Sequence, residues 1–143
     1  MHTIPRLRRA PSFLAALLFA PILFGAFSAA PASAATPAQL LADYNAKAGS
    51  PGVPARGQQF FTSRHGREWS CSSCHGAAPT QAGKHASTGK PIGALAPAFN
   101  AERFADAAKS EKWFRRNCND VVGRECSAGE KADVLSWLLT LKP

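Results

Sequence analysis

Cys71-Ser72-Ser73-Cys74-His75 is the stretch that decides how this chain folds. It has the form C-x-x-C-H, the attachment signature of a c-type haem. Two thiols three residues apart fall on one side of a helical turn, where they can add across the two vinyl groups of one porphyrin. The next residue, His75, is then held beneath the iron and offers an imidazole nitrogen as proximal ligand. Two other chemistries compete for the same residues. A redox dithiol uses C-x-x-C, but in a βαβ setting that the sequence around residue 71 does not show. A zinc site would need Cys118, Cys126 or a second histidine to complete a tetrahedron, and such sites seldom place a histidine directly after the second cysteine.

Working outward, the N-terminal end fits a haem attached after export. Residues 2–11 carry Arg6, Arg8 and Arg9 and no acid. An apolar run from Phe13 to Phe27 follows, broken by Pro21 and Gly25, and then Ala32-Ser33-Ala34, an A-x-A cleavage signature. This pattern predicts a secretory signal peptide over residues 1–34, because a membrane span needs roughly 20 apolar residues. An uncleaved anchor is the rival reading. Cleavage after Ala34 leaves one domain, residues 35–143, located in the periplasm with no stable membrane insertion. Without the leader's three arginines the domain keeps 14 basic and nine acidic groups, a formal charge of +5. That balance favours acidic partner proteins or an anionic surface, and nucleic acid is a poor partner for an exported chain.

The domain is small, so a porphyrin would form much of its core. Its pattern is all-α: helices and long loops. Thr36-Pro37-Ala38-Gln39 is a capping-box start with proline at the first helical position. Leu40, Leu41, Tyr44 and Ala48 follow at helical spacing, and Gly49-Ser50-Pro51-Gly52 ends the segment. A second helix is predicted over Pro54–Thr62. The stretch from Gly76 to Asn100 is rich in glycine and proline and reads as loop, long enough to suggest that it wraps a haem edge. Asn100 is expected to cap a short helix from Ala101, and a further helical segment runs through Lys109, Trp113 and Phe114 to Arg116. Ser127-Ala128-Gly129-Glu130 opens the last helix, with an apolar stripe at Val134, Leu135 and Leu138. No strand pattern is evident.

The face of the iron opposite His75 decides the function. A methionine sulfur there would stabilise ferrous iron and suit simple electron transfer. The chain has one methionine, Met1, which leaves with the signal peptide. The remaining candidates are His65, His85, a lysine, Asn117, Asn119 or water. Both histidines sit in polar, loop-like sequence, and a lysine must first lose its proton. Asn117 alone reads as an ordinary helix-ending asparagine. Its neighbours add interest: Cys118 and Cys126 are the thiols left after haem attachment and should pair in an oxidising compartment. Free thiols or an intermolecular bridge are the alternatives. The short loop would gain roughly 2–3 kcal/mol from such a bridge.

At these residues the chain resembles the sphaeroides haem protein (SHP) family of class I-like cytochromes c. The resemblance rests on the haem motif, on Thr88-Gly89-Lys90-Pro91-Ile92 and on Leu95-Ala96-Pro97. It continues through Asn100-Ala101-Glu102-Arg103-Phe104, Glu111-Lys112-Trp113-Phe114-Arg115-Arg116-Asn117-Cys118 and Glu130-Lys131-Ala132-Asp133. It implies a small class I-like fold around one covalent haem, held through Cys71 and Cys74. It implies His75 as proximal ligand, Asn117 as side-chain ligand to ferric iron, and a disulfide on Cys118 and Cys126. It also implies binding of O₂, NO or CO after reduction, with a dihaem cytochrome c or a membrane cytochrome as electron donor. An amide oxygen is a hard, weak donor that suits ferric better than ferrous iron.

Three functions follow. The first is a redox-gated ligand-binding haem protein, a terminal oxidoreductase acting on O₂, NO or a small oxygenated species. The second is a plain six-coordinate electron carrier, with His85 opposite His75. The third is a non-catalytic gas sensor or carrier. No residue set announces a turnover reaction.

Overall fold

The computed structural model describes residues 35–143, so the expected signal peptide lies outside the described residues. Among the described residues the fold has five helices and one short antiparallel ladder: α1 (Pro37–Ala48), α2 (Pro54–Thr62), α3 (Cys71–His75), β1 (Gly83–Lys84), β2 (Pro91–Ile92), α4 (Ala107–Val121) and α5 (Ala128–Leu138). No helix among the described residues is long and apolar enough to cross a membrane.

Helix α5 is the central element. Its N-terminus is closed reciprocally: the Glu130 N–H donates to Ser127 Oγ (3.2 Å), and the Ser127 N–H donates to Glu130 Oε2 (2.8 Å). From Ala132 to Leu138 every residue of α5 is buried. One side packs Ala132 and Leu135 against Leu40 and Tyr44 of α1. The other packs Val134, Trp137 and Leu138 against Phe61 of α2. The α1 capping box forms as the sequence predicts, through Thr36 and Gln39, and Gly49 ends the helix in the left-handed conformation at φ +69°. Such a φ is costly for any residue with a Cβ.

The start of α2 borrows its cap from α5. Asp133 Oδ1 accepts the Val53 N–H (2.6 Å), and the Arg56 guanidinium grips both carboxylate oxygens at 2.8 and 2.9 Å. The two helices approach so closely that a Cβ at Gly57 would strike the Asp133 carbonyl. Burial alone would raise the Asp133 carboxyl, but Arg56 and the Val53 N–H outweigh it and hold the group below its ordinary range. Helix α4 is tied to α5 by Lys131, whose ammonium donates to Glu111 (2.7 Å).

Two features differ from the sequence reading. The predicted helix after Asn100 is a chain of turns instead. Asn100 spends its side chain locally: Oδ1 accepts the Glu102 N–H (3.2 Å) and Nδ2 donates to the Ala94 carbonyl (3.2 Å). Phe104 then takes a positive φ of 60°, which a continuing right-handed helix excludes. Helix α4 starts only at Asp106, whose carboxylate accepts the Lys109 N–H (2.9 Å), and it runs past Arg116 to Val121. The second difference is the β1–β2 ladder, with Gly83 paired to Ile92. Two residues per strand are too few to display alternation. The rest of the long segment is ordered loop, with the Leu95 and Ala96 N–H groups both donating to the Pro79 carbonyl at 3.0 Å.

Candidate haem site

The haem motif forms its own turn of helix. The Ser70 N–H donates to Ser73 Oγ (3.0 Å), the Ser73 N–H to the Ser70 carbonyl (3.2 Å), and the Gly76 N–H to the Ser72 carbonyl (2.9 Å). Gly76 leaves the turn at φ +79°. Cys71 and Cys74, one turn apart, take no part in a disulfide. Burial pushes the Cys71 thiol up to about 11. The β1 strand lies hard against this turn, so that a Cβ at Gly83 would meet the Cys74 carbonyl, and the Ala86 N–H donates to Cys74 Sγ (3.3 Å).

His75 rests with its ring 6.1 Å from that of Phe61, which in turn packs at a tilt against Trp137 at 5.1 Å. Burial, with help from the Arg103 guanidinium, lowers its pKa to about 4. At neutral pH the imidazole is therefore uncharged, the form that ligates a metal. Arg103 is itself fixed, donating to the Ala94 (3.0 Å) and Gly93 (3.0 Å) carbonyls. It thereby brackets the loop that follows β2.

Cys71, Cys74 and His75 share one cavity of about 640 Å³. Most of its lining is apolar, including Phe60, Phe61, Ile92, Leu95 and Phe104. The size lies within the range of cofactor and ligand sites. Helix α4 forms a broad part of the wall, and Ser110, Trp113, Asn117 and Val121 follow one another along it at helical spacing. Cys118 and Cys126 are paired, with Cα atoms 5.7 Å apart, directly after Asn117.

Two of the other sixth-ligand candidates share the cavity with Asn117, and two do not. His85 lines the cavity, with its Nδ1 facing Ser87 Oγ (3.2 Å) and the Thr88 N–H (3.3 Å). His65 lies elsewhere, its Nε2 2.9 Å from the Phe60 carbonyl and its ring 4.3 Å from that of Phe60. Asn119, exposed like Asn117, does not line the cavity and donates to the Arg115 carbonyl (2.8 Å). Of the lysines, Lys109 reaches the lining. Sequence reading did not find the Arg103 bracket or the contact of Gly83 with the haem turn. Neither leaves a local signal, since both depend on segments that meet only in the fold.

No group of three His, Cys, Asp or Glu side chains among the described residues is arranged to hold a metal ion. The cysteines that zinc would need are occupied with each other. A helical fold with a C-x-x-C-H turn on the wall of an apolar, porphyrin-sized cavity defines a small class I-like cytochrome c. Residues 47–138 match the family described as "Domain of unknown function (DUF1924)". The chain is also 48% identical over 123 residues to cytochrome c-type protein SHP of Cereibacter sphaeroides, covering 82% of this chain and 95% of that protein. It belongs to this SHP family of cytochromes c.

Solved structures agree. Oxidised SHP, described as an oxygen-binding cytochrome c, superposes with a TM-score of 0.70 at 49% identity, covering 74% of this chain and 97% of that one. Oxidised cytochrome c″ from Methylophilus methylotrophus gives 0.69 at 35% identity, over 75% of this chain and 95% of that one. The relatives are haem-containing cytochromes c, and haem is the cofactor of the family.

Proposed function

We propose that this protein is an exported monohaem c-type cytochrome whose sixth iron ligand is released by reduction. Cys71 and Cys74 carry the porphyrin as thioethers, His75 is the proximal ligand, and Asn117 ligates ferric iron. The observation that carries this reading is the shared cavity: both thiols, His75 and Asn117 line it, while His65 and Asn119 do not. The sole methionine, Met1, lies in the expected signal peptide. A hard amide oxygen suits ferric better than the softer ferrous iron, so Asn117 would hold a reduced haem only weakly. That side of the haem would then be open to O₂, NO or CO, in keeping with the description of oxidised SHP as oxygen-binding. Electrons come from another cytochrome, a dihaem cytochrome c or a membrane cytochrome. Export to the periplasm accounts for the leader, the haem motif and a Cys118–Cys126 disulfide together.

Optical spectra of the haem-loaded protein test this directly, taken oxidised, reduced, and reduced with CO. The ferric form should be six-coordinate, and the ferrous form high-spin and reactive with CO. Asn117→Ala should alter the ferric spectrum and leave haem attachment intact. An unchanged ferric spectrum in that variant would move the ligand role to another residue. His85 also lines the cavity, so a plain electron carrier with two histidine ligands is the second reading. It predicts a ferrous form that stays low-spin and ignores CO.

A further inference from the structure

Three basic side chains line the haem cavity: Arg103, Lys109 and Arg116. They differ in what they are free to do. Arg103 is spent on the Gly93 and Ala94 carbonyls, and its charge bears on His75. Lys109 stands eight residues before Asn117, about 12 Å along α4 at the helical rise. Arg116 is the residue next to Asn117. Its neighbour Arg115 pairs with Glu125 (3.2 Å), whereas Arg116 makes no ion pair or side-chain hydrogen bond among the described residues. Its guanidinium sits 5.7 Å from the centroid of the Trp113 ring, one turn earlier on the same helix. Trp113 is 42% exposed and lines the same cavity. A cation held on an aromatic face keeps its charge in place without being neutralised.

We propose that Arg116, seated on Trp113 beside Asn117, is a specificity-determining residue that favours small inorganic anions over neutral ligands at the iron. The inference rests on Asn117 as the ferric ligand. When the amide oxygen leaves, an incoming anion replaces it at ferric iron with no electron transferred, and the field of Arg116 raises its local concentration. Asp120, one turn further along α4, also lines the cavity and opposes this field. Glu102 and Asp106, which line the cavity as well, oppose it from further along the chain, so Arg116 and Asp120 are the pair of opposite charges nearest Asn117 in sequence.

The test is stopped-flow binding of azide and of nitric oxide to the ferric, haem-loaded protein. Azide carries a charge and nitric oxide does not, so the ratio of their second-order rates cancels any common step. Arg116→Gln should lower the azide rate about twofold to threefold, the size expected of removing one unit charge from the wall of a water-accessible site, and leave nitric oxide unchanged. Asp120→Asn should raise the azide rate by a similar factor. Arg116→Lys should keep most of the azide preference, showing that charge is responsible. Both rate changes should shrink with added salt. Equal changes for both ligands in Arg116→Gln, as expected if the guanidinium instead holds a porphyrin carboxylate, would overturn the proposal, as would no change for either. Asn117 is tested separately: at high ligand concentration both rates should reach one common limit, which Asn117→Ala removes. A limit that survives in Asn117→Ala would count against Asn117 as ligand while leaving the Arg116 comparison valid.

Discussion

Asn117 carries the functional argument in its side chain. It sits within α4, at helical spacing with Ser110, Trp113 and Val121, and not at a helix end. The ordinary explanation for an asparagine near a helix terminus therefore does not apply, since the helix continues for four residues to Val121. The proposed gate depends on the amide being too weak a ligand for ferrous iron. A stronger donor at the same place should jam it. Replacing Asn117 with His supplies an imidazole, which serves iron as an axial ligand in both oxidation states. In Asn117→His the reduced protein should remain low-spin, and CO should bind at least about tenfold more slowly, the effect of about 1.4 kcal/mol of retained ligation. Flash photolysis or stopped-flow mixing with CO measures this, and an unslowed reaction would place residue 117 too far from the iron to ligate it. Chemistry alone points to Cys71, Cys74 and His75 in the sequence. The proposed role of Asn117 rests there on the family resemblance, because an amide has no spacing rule that marks it as a ligand.

Among the elements, α5 holds α1 on one side and α2 on the other, and the α2 contact is set by Gly57. A methyl group there would collide with the Asp133 carbonyl, which belongs to a helix that cannot retreat because its other face is filled by Leu40 and Tyr44. Gly57→Ala should therefore destabilise the haem-loaded protein by about 1–3 kcal/mol, even though alanine is the better helix former. Thermal unfolding reads the effect, with Gly66→Ala as a control for backbone strain, since Gly66 has a φ of +78° but open space around it. A melting temperature unchanged by Gly57→Ala would show that the helices can separate without cost. The helices that announced themselves in the sequence are those with local stop and start signals: Thr36 with Gln39, Pro54, and Ser127 with Glu130. Asn100 offered the same kind of signal and misled, because its amide bonds to Ala94 and Glu102 in a turn that Phe104 then closes. The β1–β2 ladder and the glycine contacts at Gly57 and Gly83 had no sequence signature, since each is fixed by a partner distant in the chain.

At the scale of the whole molecule, Glu111 and Asp133 join helices and Glu130 ties α5 to the loop before it, and all three are held below their ordinary pKa values. Glu130 is lowered first by the Arg124 guanidinium. Glu111 and Asp133 would be raised by burial alone, but Lys131 and Arg56 respectively reverse that outcome. The sign follows for each. The unfolded chain takes up these protons at a higher pH than the folded one, so folding is favoured above the unfolded pKa and that advantage is lost as pH falls through the folded value. The protein should therefore lose stability steeply below about pH 4, where its positive charge also grows as the carboxylates are neutralised. Asp133 isolates one part of this loss, because it caps α2 through Val53 and binds Arg56. Asp133→Asn should be less stable than the parent protein at pH 7. As the pH drops through and below the ordinary aspartate value of 3.8, the parent's own carboxyl becomes neutral and the gap between the two should narrow. Urea unfolding of both haem-loaded proteins at a series of pH values from 7 down to about 3 measures that gap directly. A gap that stays constant over the series would mean that Asp133 acts by shape and hydrogen bonding alone, and that its charge does not hold α2 to α5.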